Sequence, residues 1–234
     1  MLYSKADTHI HSSYSDGTSS PEDIVKFAAG KLQIIAITDH NRIKGAFKAK
    51  EYALRNSFLD VEVIIGEEIS TKNGHVIGLF LEKKIIPGKT AAATIEEIHA
   101  QGGLAIAPHP FYFVSYAEKG HKPLRKLLTY LDFDAIEVIN NSSAFTLISN
   151  AITSLANVSI GLPQLGVSDA HVKEFIGKGY TKFKGKSAAD LKKRIKENKL
   201  TAHFKHYSLR EQFYVIQSMK SFYLYFLNKQ KTEE

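Results

Sequence analysis

His9 and His11 stand one residue apart in Asp7-Thr8-His9-Ile10-His11-Ser12. In extended backbone, side-chain direction repeats every second residue, so both imidazoles leave the same side of the chain and form a two-pronged clamp suited to a divalent metal. Four further segments end in Asp, Glu or His just after an apolar run: Thr38-Asp39-His40, Gly66-Glu67-Glu68-Ile69-Ser70, Pro108-His109-Pro110 and Ser168-Asp169-Ala170-His171. Asp16 follows the first clamp in Ser15-Asp16-Gly17, and His75 opens the run after a Lys-Asn-Gly turn. Each residue has an ordinary alternative: Asp16 could cap a turn, Glu68 could be a paired surface carboxylate, and Asp39 could cap a helix. Their recurrence at the end of strand after strand favours one shared metal site.

Cysteine is absent. That excludes a disulfide framework and thiolate ligation, and leaves His and carboxylate donors, which suit Mn²⁺, Zn²⁺ or Fe²⁺. His9, His11, Asp16, His40, Glu68, His75, His109, Asp169 and His171 are too many for one tetrahedral ion but enough for two or three that share a bridging carboxylate. The other four histidines, His99, His121, His203 and His206, lie in helix-like or polar contexts where surface or capping roles fit.

With 234 residues, 44% hydrophobic and 24% charged, the chain fits one well-buried domain without linker or repeat. No apolar run is long enough to span a bilayer and no signal-peptide pattern opens the chain, so a cytoplasmic protein is expected. A net charge of +7 and a pI near 9.3 point toward anionic, phosphorylated partners, although basic runs such as residues 182–199 are more often solvated faces.

Short β-rich runs alternate with helical ones, which argues for parallel strands joined by helical crossovers, in an α/β barrel. Strands are expected near residues 32–37, 61–65, 75–80, 104–107, 134–139 and 164–167, the second and third as a hairpin. Helices are expected after Ser20-Pro21 and over residues 45–54, 94–100, 124–131, 145–155 and 187–196. In a barrel of parallel strands the carboxyl ends open on one face, where the nine donors would converge.

The ordered motifs, including Asp7-Thr8-His9-Ile10-His11-Ser12, Thr38-Asp39-His40 and Ser168-Asp169-Ala170-His171, resemble those of the polymerase and histidinol phosphatase (PHP) superfamily from about residue 6 to 180. The resemblance implies a distorted (β/α)7 TIM-like barrel with a phosphoesterase site of up to three metals at the carboxyl ends of its strands. By that likeness His9, His11, Glu68 and Asp169 would hold one ion, and bridging Glu68 with His75 and His109 a second. Asp16, His40 and His171 would hold a third. Asp7 and Asp39 would orient His9 and His40 through their free ring nitrogens. Asn140-Asn141-Ser142 stands where an arginine for substrate phosphate would be looked for.

A water held between two divalent cations becomes a hydroxide nucleophile near neutral pH, and the cations also neutralise phosphoryl and leaving oxygens. The expected activity is therefore hydrolysis of a phosphomonoester or terminal phosphodiester, with His40, Asp169 and His171 as catalytic residues. The third metal or a protonated His40 could assist the leaving group, and Arg42 and Lys44 could contact phosphate. Substrate candidates are a nucleotide, the end of a short RNA or a small phosphorylated metabolite; the alternative is a non-catalytic module that binds metal and nucleic acid. Residues 187–234 read as a helical extension, whose Leu209, Phe213, Ile216, Met219, Tyr223 and Phe226 form a stripe suited to packing on the barrel or to a homo-oligomer contact, with no membrane role.

Overall fold

A computed structural model describes residues 2–112, 124–142, 146–208 and 211. The first half comprises β1 (Tyr3–Ile10), α1 (Pro21–Ala28), β2 (Ile34–Ile37), α2 (Lys44–Arg55), β3 (Glu62–Thr71), β4 (Gly74–Leu79) and α3 (Ala91–Ala100). Then come β5 (Leu104–Ala107), β6 (Ala135–Asn140), α4 (Thr146–Ile160), β7 (Gln164–Val167), β8 (Gly179–Lys184), α5 (Ala188–Lys196) and β9 (Leu200–Phe204). Local chemistry sets the helix starts. Ser20 accepts the Asp23 N–H with Pro21 at the first helical position, and Ser187 and Asp190 form a reciprocal capping box at α5.

The strands form one nearly closed, barrel-shaped sheet in the order β7-β6-β5-β4-β3-β2-β1-β8-β9. β1, β2 and β3 are parallel, as are β5, β6 and β7. β4 is the return arm of the expected hairpin and runs antiparallel to both β3 and β5. The barrel interior is filled by Ala6, Ile34, Ile64, Ile77, Ile106, Leu165 and Phe183, against which Leu191 and Ile195 of α5 pack. Outside, Ile35 and Ile37 of β2 pack in a second cluster with Ile24 and Val25 of α1 and Ala46 and Ala49 of α2. No helix among the described residues is long and apolar enough to cross a membrane.

Two expected helical stretches differ. Residues 125–129 form a five-residue 3-10 turn, with i→i+3 bonds such as Tyr130 N–H to Leu127 O, as suits a segment too short to propagate an α-helix. Within the 187–234 extension, α5 forms as expected, but the chain then reverses through Asn198, at a φ of 51°, and Leu200–Phe204 pairs antiparallel with β8 as β9. The aromatic stripe from Leu209 to Phe226 lies outside the described residues.

The barrel closes where β7 meets β8 without a regular ladder. Thr181 bridges the gap, its hydroxyl bonding both the N–H and the carbonyl of Gly166 at 3.0 Å. Backbones touch there: a Cβ on Gly179 would stand 1.8 Å from the Val167 carbonyl oxygen. Gly179→Ala is accordingly expected to lower stability by at least about 1–3 kcal/mol in urea denaturation, the usual cost of overpacking; an unchanged midpoint would show that the seam is not tight.

Candidate metal centre

The strands deliver the donors to one end of the barrel. His9 lies in β1 and His11 just after it, with Asp16 in the loop that follows; His40 follows β2, and Glu68 and His75 face each other across the β3–β4 hairpin. His109 follows β5, and Asp169 and His171 follow β7. Two of these positions carry backbone strain: His109 has a φ of 27° and Asp169 a φ of 50°, left-handed conformations that non-glycine residues adopt at a cost and that cluster at functional sites.

All nine expected donors come together, and Glu68 stands at their centre with 1% of its side chain exposed. One of its oxygens, Oε2, lies 3.3 Å from His9 Nε2, His11 Nε2 and His40 Nδ1. The other, Oε1, lies 2.9 Å from His75 Nδ1 and 3.2 Å from His109 Nε2. Asp169 Oδ1 completes the first cluster at 3.3 Å from both His9 Nε2 and His11 Nε2. Beside it Asp16 Oδ2 lies 3.2 Å from His171 Nε2 and 3.5 Å from His40 Nε2. His40 therefore faces two clusters at once, through different ring nitrogens.

These spacings fit metal ligation. Donors about 2.0–2.2 Å from a shared ion stand about 2.8–3.6 Å from their nearest neighbours in octahedral or tetrahedral geometry, and the pairs given above fall in that range; the sets whose donor atoms all lie within 4.8 Å of one another are His9–His11–Glu68, His9–His109–Asp169, His11–Asp16–His40–His171 and His40–Glu68–His75. His9 Nε2 and His11 Nε2 are 3.0 Å apart and buried, and His11 Nδ1, buried without a hydrogen bond, lies 3.4 Å from Asp16 Oδ1. Oxygen and imidazole donors alone suit Mn²⁺, Zn²⁺ or Fe²⁺.

The supporting contacts differ from those expected. His9 Nδ1 pairs with Glu137 Oε1 at 2.8 Å, not with Asp7. Glu137 Oε2 also accepts the His109 N–H and the Asn140 side-chain amide, and that same amide reaches Asp169 Oδ2 at 3.1 Å. So Glu137, which the motif pattern did not single out, and Asn140, which it marked only as standing in place of an arginine, link the candidate donors His9, His109 and Asp169. Asp7 instead accepts the backbone N–H groups of Ser168 and Gly177, and Asp39 accepts from Ser12 and Ser15, fixing the loop that carries Asp16. That loop is tightly seated, because a Cβ on Gly45 would stand 2.1 Å from Asp39 Oδ2. Glu67 points away from the cluster: its Oε2 accepts the Ile85 N–H, and burial pushes its carboxyl up to about 7. Arg42 and Lys44 are exposed at the start of α2, and Lys44 borders a shallow depression with Tyr14 and Phe47.

Charge is concentrated at the centre. Burial works against the ionised carboxylates, but His40, His75 and His9 hold Glu68 well below the usual carboxylate range, and His9, His11 and His171 do the same for Asp169. Burial likewise opposes protonation of His171, yet Asp16 and Asp169 carry it up to about 9. His40 goes the other way: burial lowers it to about 4, which favours the neutral imidazole.

Two outcomes follow from this geometry. Glu137→Gln, which removes the carboxylate that fixes His9, is expected to weaken Mn²⁺ binding about 10–100-fold by calorimetry; unchanged affinity would make Glu137 a bystander. With His171 as a metal donor, metal and protons would compete for it, so binding at pH 7 is expected to release protons, and affinity is expected to climb as pH rises toward about 9. Uptake without proton release in a weakly buffered solution would contradict the charge state described.

The model of the PHP domain family matches residues 7–214. An uncharacterized protein of Methanocaldococcus jannaschii is 40% identical over 172 residues, covering 68% of this chain and 94% of that protein. A 5′-3′ exoribonuclease of Haemophilus influenzae is 38% identical over 84 residues, which are 34% of this chain and 30% of that enzyme. Among solved structures, a two-domain protein of Bacteroides vulgatus containing a predicted PHP-like metal-dependent phosphoesterase superposes with a TM-score of 0.69 at 20% identity, over 87% of this chain and 65% of that one. With nine metal-competent donors at the strand ends and a family match over most of its length, the chain belongs to the PHP domain family.

Proposed function

We propose that this protein is a metal-dependent phosphoesterase that hydrolyses a phosphomonoester or a terminal phosphodiester. The observation that carries this reading is the division of Glu68: its two oxygens face two separate groups of imidazoles, the arrangement a bridging ligand requires, with a third group around Asp16 alongside. His9, His11, Glu68 and Asp169 would hold one divalent ion, Glu68, His75 and His109 a second, and Asp16, His40 and His171 a third. When bound, such ions supply charge neutralisation for phosphoryl and leaving oxygens and lower the pKa of water.

The chain's own residues then do the rest. Glu137 fixes the ring of His9, and Asn140 ties Asp169 to Glu137, so the first group keeps its shape while substrate charge changes. Asn140 thus has a positioning role in the place where an arginine for substrate phosphate is expected. Arg42 and Lys44, just beyond His40, offer cations to an incoming phosphate. A non-catalytic module would be expected to show gaps among the ligands, and all nine positions carry competent donors. The exoribonuclease likeness makes nucleotide ends suitable members of the substrate set.

The test is phosphate release with added Mn²⁺ from small phosphomonoesters, 3′,5′-bisphosphorylated nucleotides and short 5′-phosphorylated RNAs. Asp169→Asn and His9→Ala are expected to cut turnover by more than the roughly 10²–10³-fold that loss of one charge-stabilising donor costs, with circular dichroism unchanged. Retained turnover in a folded variant, or no release from any substrate by metal-loaded protein, would overturn the proposal.

A further inference from the structure

The outward side of β1, β8 and β9 forms a second surface, built from rings and cations. Register places Tyr3 opposite Lys184, Lys5 opposite Lys182, Lys182 opposite Thr201, and Tyr180 opposite His203, all on the side away from the barrel interior that Thr181 and Phe183 face. Tyr3 is 57% exposed, and Lys182 and Lys184 are exposed too. Lysine ammonium groups alternate with rings: Lys182 lies 4.9 Å from the Tyr3 ring centre and Lys5 lies 5.3 Å from that of Tyr180. Lys205 lies 5.8 Å from the same Tyr180 ring, which stacks on His203 at 5.3 Å with planes 13° apart.

At the start of β1 this face opens into a depression of about 380 Å³ bordered by Tyr3, Lys182, Lys184, Arg194, Lys199 and Thr201. The three strands contain one acidic residue, Asp7, which is buried with both oxygens bonded to backbone N–H groups. At its other end the face reaches the mouth of the barrel. There the Lys205 carbonyl accepts the Asn141 amide at 3.2 Å, next to the Asn140 that contacts Asp169.

We propose that this face binds a single-stranded nucleic acid, with phosphates on Lys182 and Lys184 and a base stacked on Tyr3; the neighbouring Arg194 and Lys199 are paired with Glu197 at 2.6 and 3.7 Å. Charge complementarity selects a polyanion, and the interleaved rings select one whose flat groups are free to stack, as in an unpaired strand. Lys182 and Lys184 project two residues apart, about 6.6 Å along the strand, a spacing that successive phosphates of an extended backbone can follow. Continuity with the barrel mouth would let one end of a bound strand reach the metal centre. Binding at the face does not itself depend on hydrolysis there.

The experiment is fluorescence anisotropy of a labelled single strand of about twelve nucleotides, titrated with the full chain in EDTA, at about 50 mM and about 200 mM salt. Wild-type protein is expected to bind more weakly at the higher salt. Lys182→Glu with Lys184→Glu is expected to raise Kd at least about tenfold and flatten the salt dependence, and Tyr3→Ala to raise Kd about fivefold or more, all with native circular dichroism. No wild-type binding at the lower salt, or an unchanged Kd in the folded double variant, would overturn the proposal. Equal, lysine-dependent binding of duplex or of anionic vesicles would overturn it too, marking a general anion surface. Strand binding without phosphate release from any substrate would sink the hydrolytic reading alone, and release without strand binding would sink this one.

Discussion

A single buried carboxylate, Glu68, meets five imidazole nitrogens through its two oxygens, and the rest of the molecule is arranged to sustain that contact. Burying an ionised carboxylate is costly unless its partners are close and fixed. Here they arrive from β1, β2, β4 and β5, which with β3 lie side by side in the sheet, so the group holds only while the sheet stays curled into its barrel. This makes the seam between β7 and β8 part of the site's chemistry: Asp169 and His171 stand just beyond β7, and their position relative to β1 depends on it. The Asp7 side chain reinforces the same join, bonding from β1 to the backbone of Ser168 and Gly177.

Order around the centre is paid for in backbone conformation. His109 and Asp169 adopt left-handed φ values, and both are tied to the Glu137–Asn140 pair. Strain held by a hydrogen-bond network is a usual feature of sites that must stay shaped for a ligand. The opposite displacements of His40 and His171, one toward neutrality and one toward protonation, show how finely position decides charge among adjacent imidazoles.

Much of this is legible in the sequence, because each candidate donor sits at or near a strand end and residue types at strand ends are read without knowing how the strands close. The nine donors, the β3–β4 hairpin and the caps at Ser20 and Ser187 are all local features. What was not legible is non-local. Glu137 is the one charged residue of β6, and a carboxylate among aliphatic neighbours is the available signal; that it pairs with His9, 128 residues away, depends on β6 lying close to β1 across the barrel. Asp7 and Asp39 look alike in sequence, each adjacent to a motif residue, yet both turned out to anchor loops. β9 is not legible because Leu200–Phe204 has weak patterning and becomes a strand by pairing with β8.

The most direct test of the central claim is metal content. Manganese bound per chain would be measured by elemental analysis after equilibrium dialysis of the wild-type protein and Glu68→Ala. If Glu68 bridges, removing it should cost more than one equivalent of metal at once, because two groups of ligands lose their shared oxygen donor. Loss of one equivalent or none, in a variant that keeps its fold, would mean that Glu68 serves a single ion at most and that the two imidazole groups around it do not form a coupled centre.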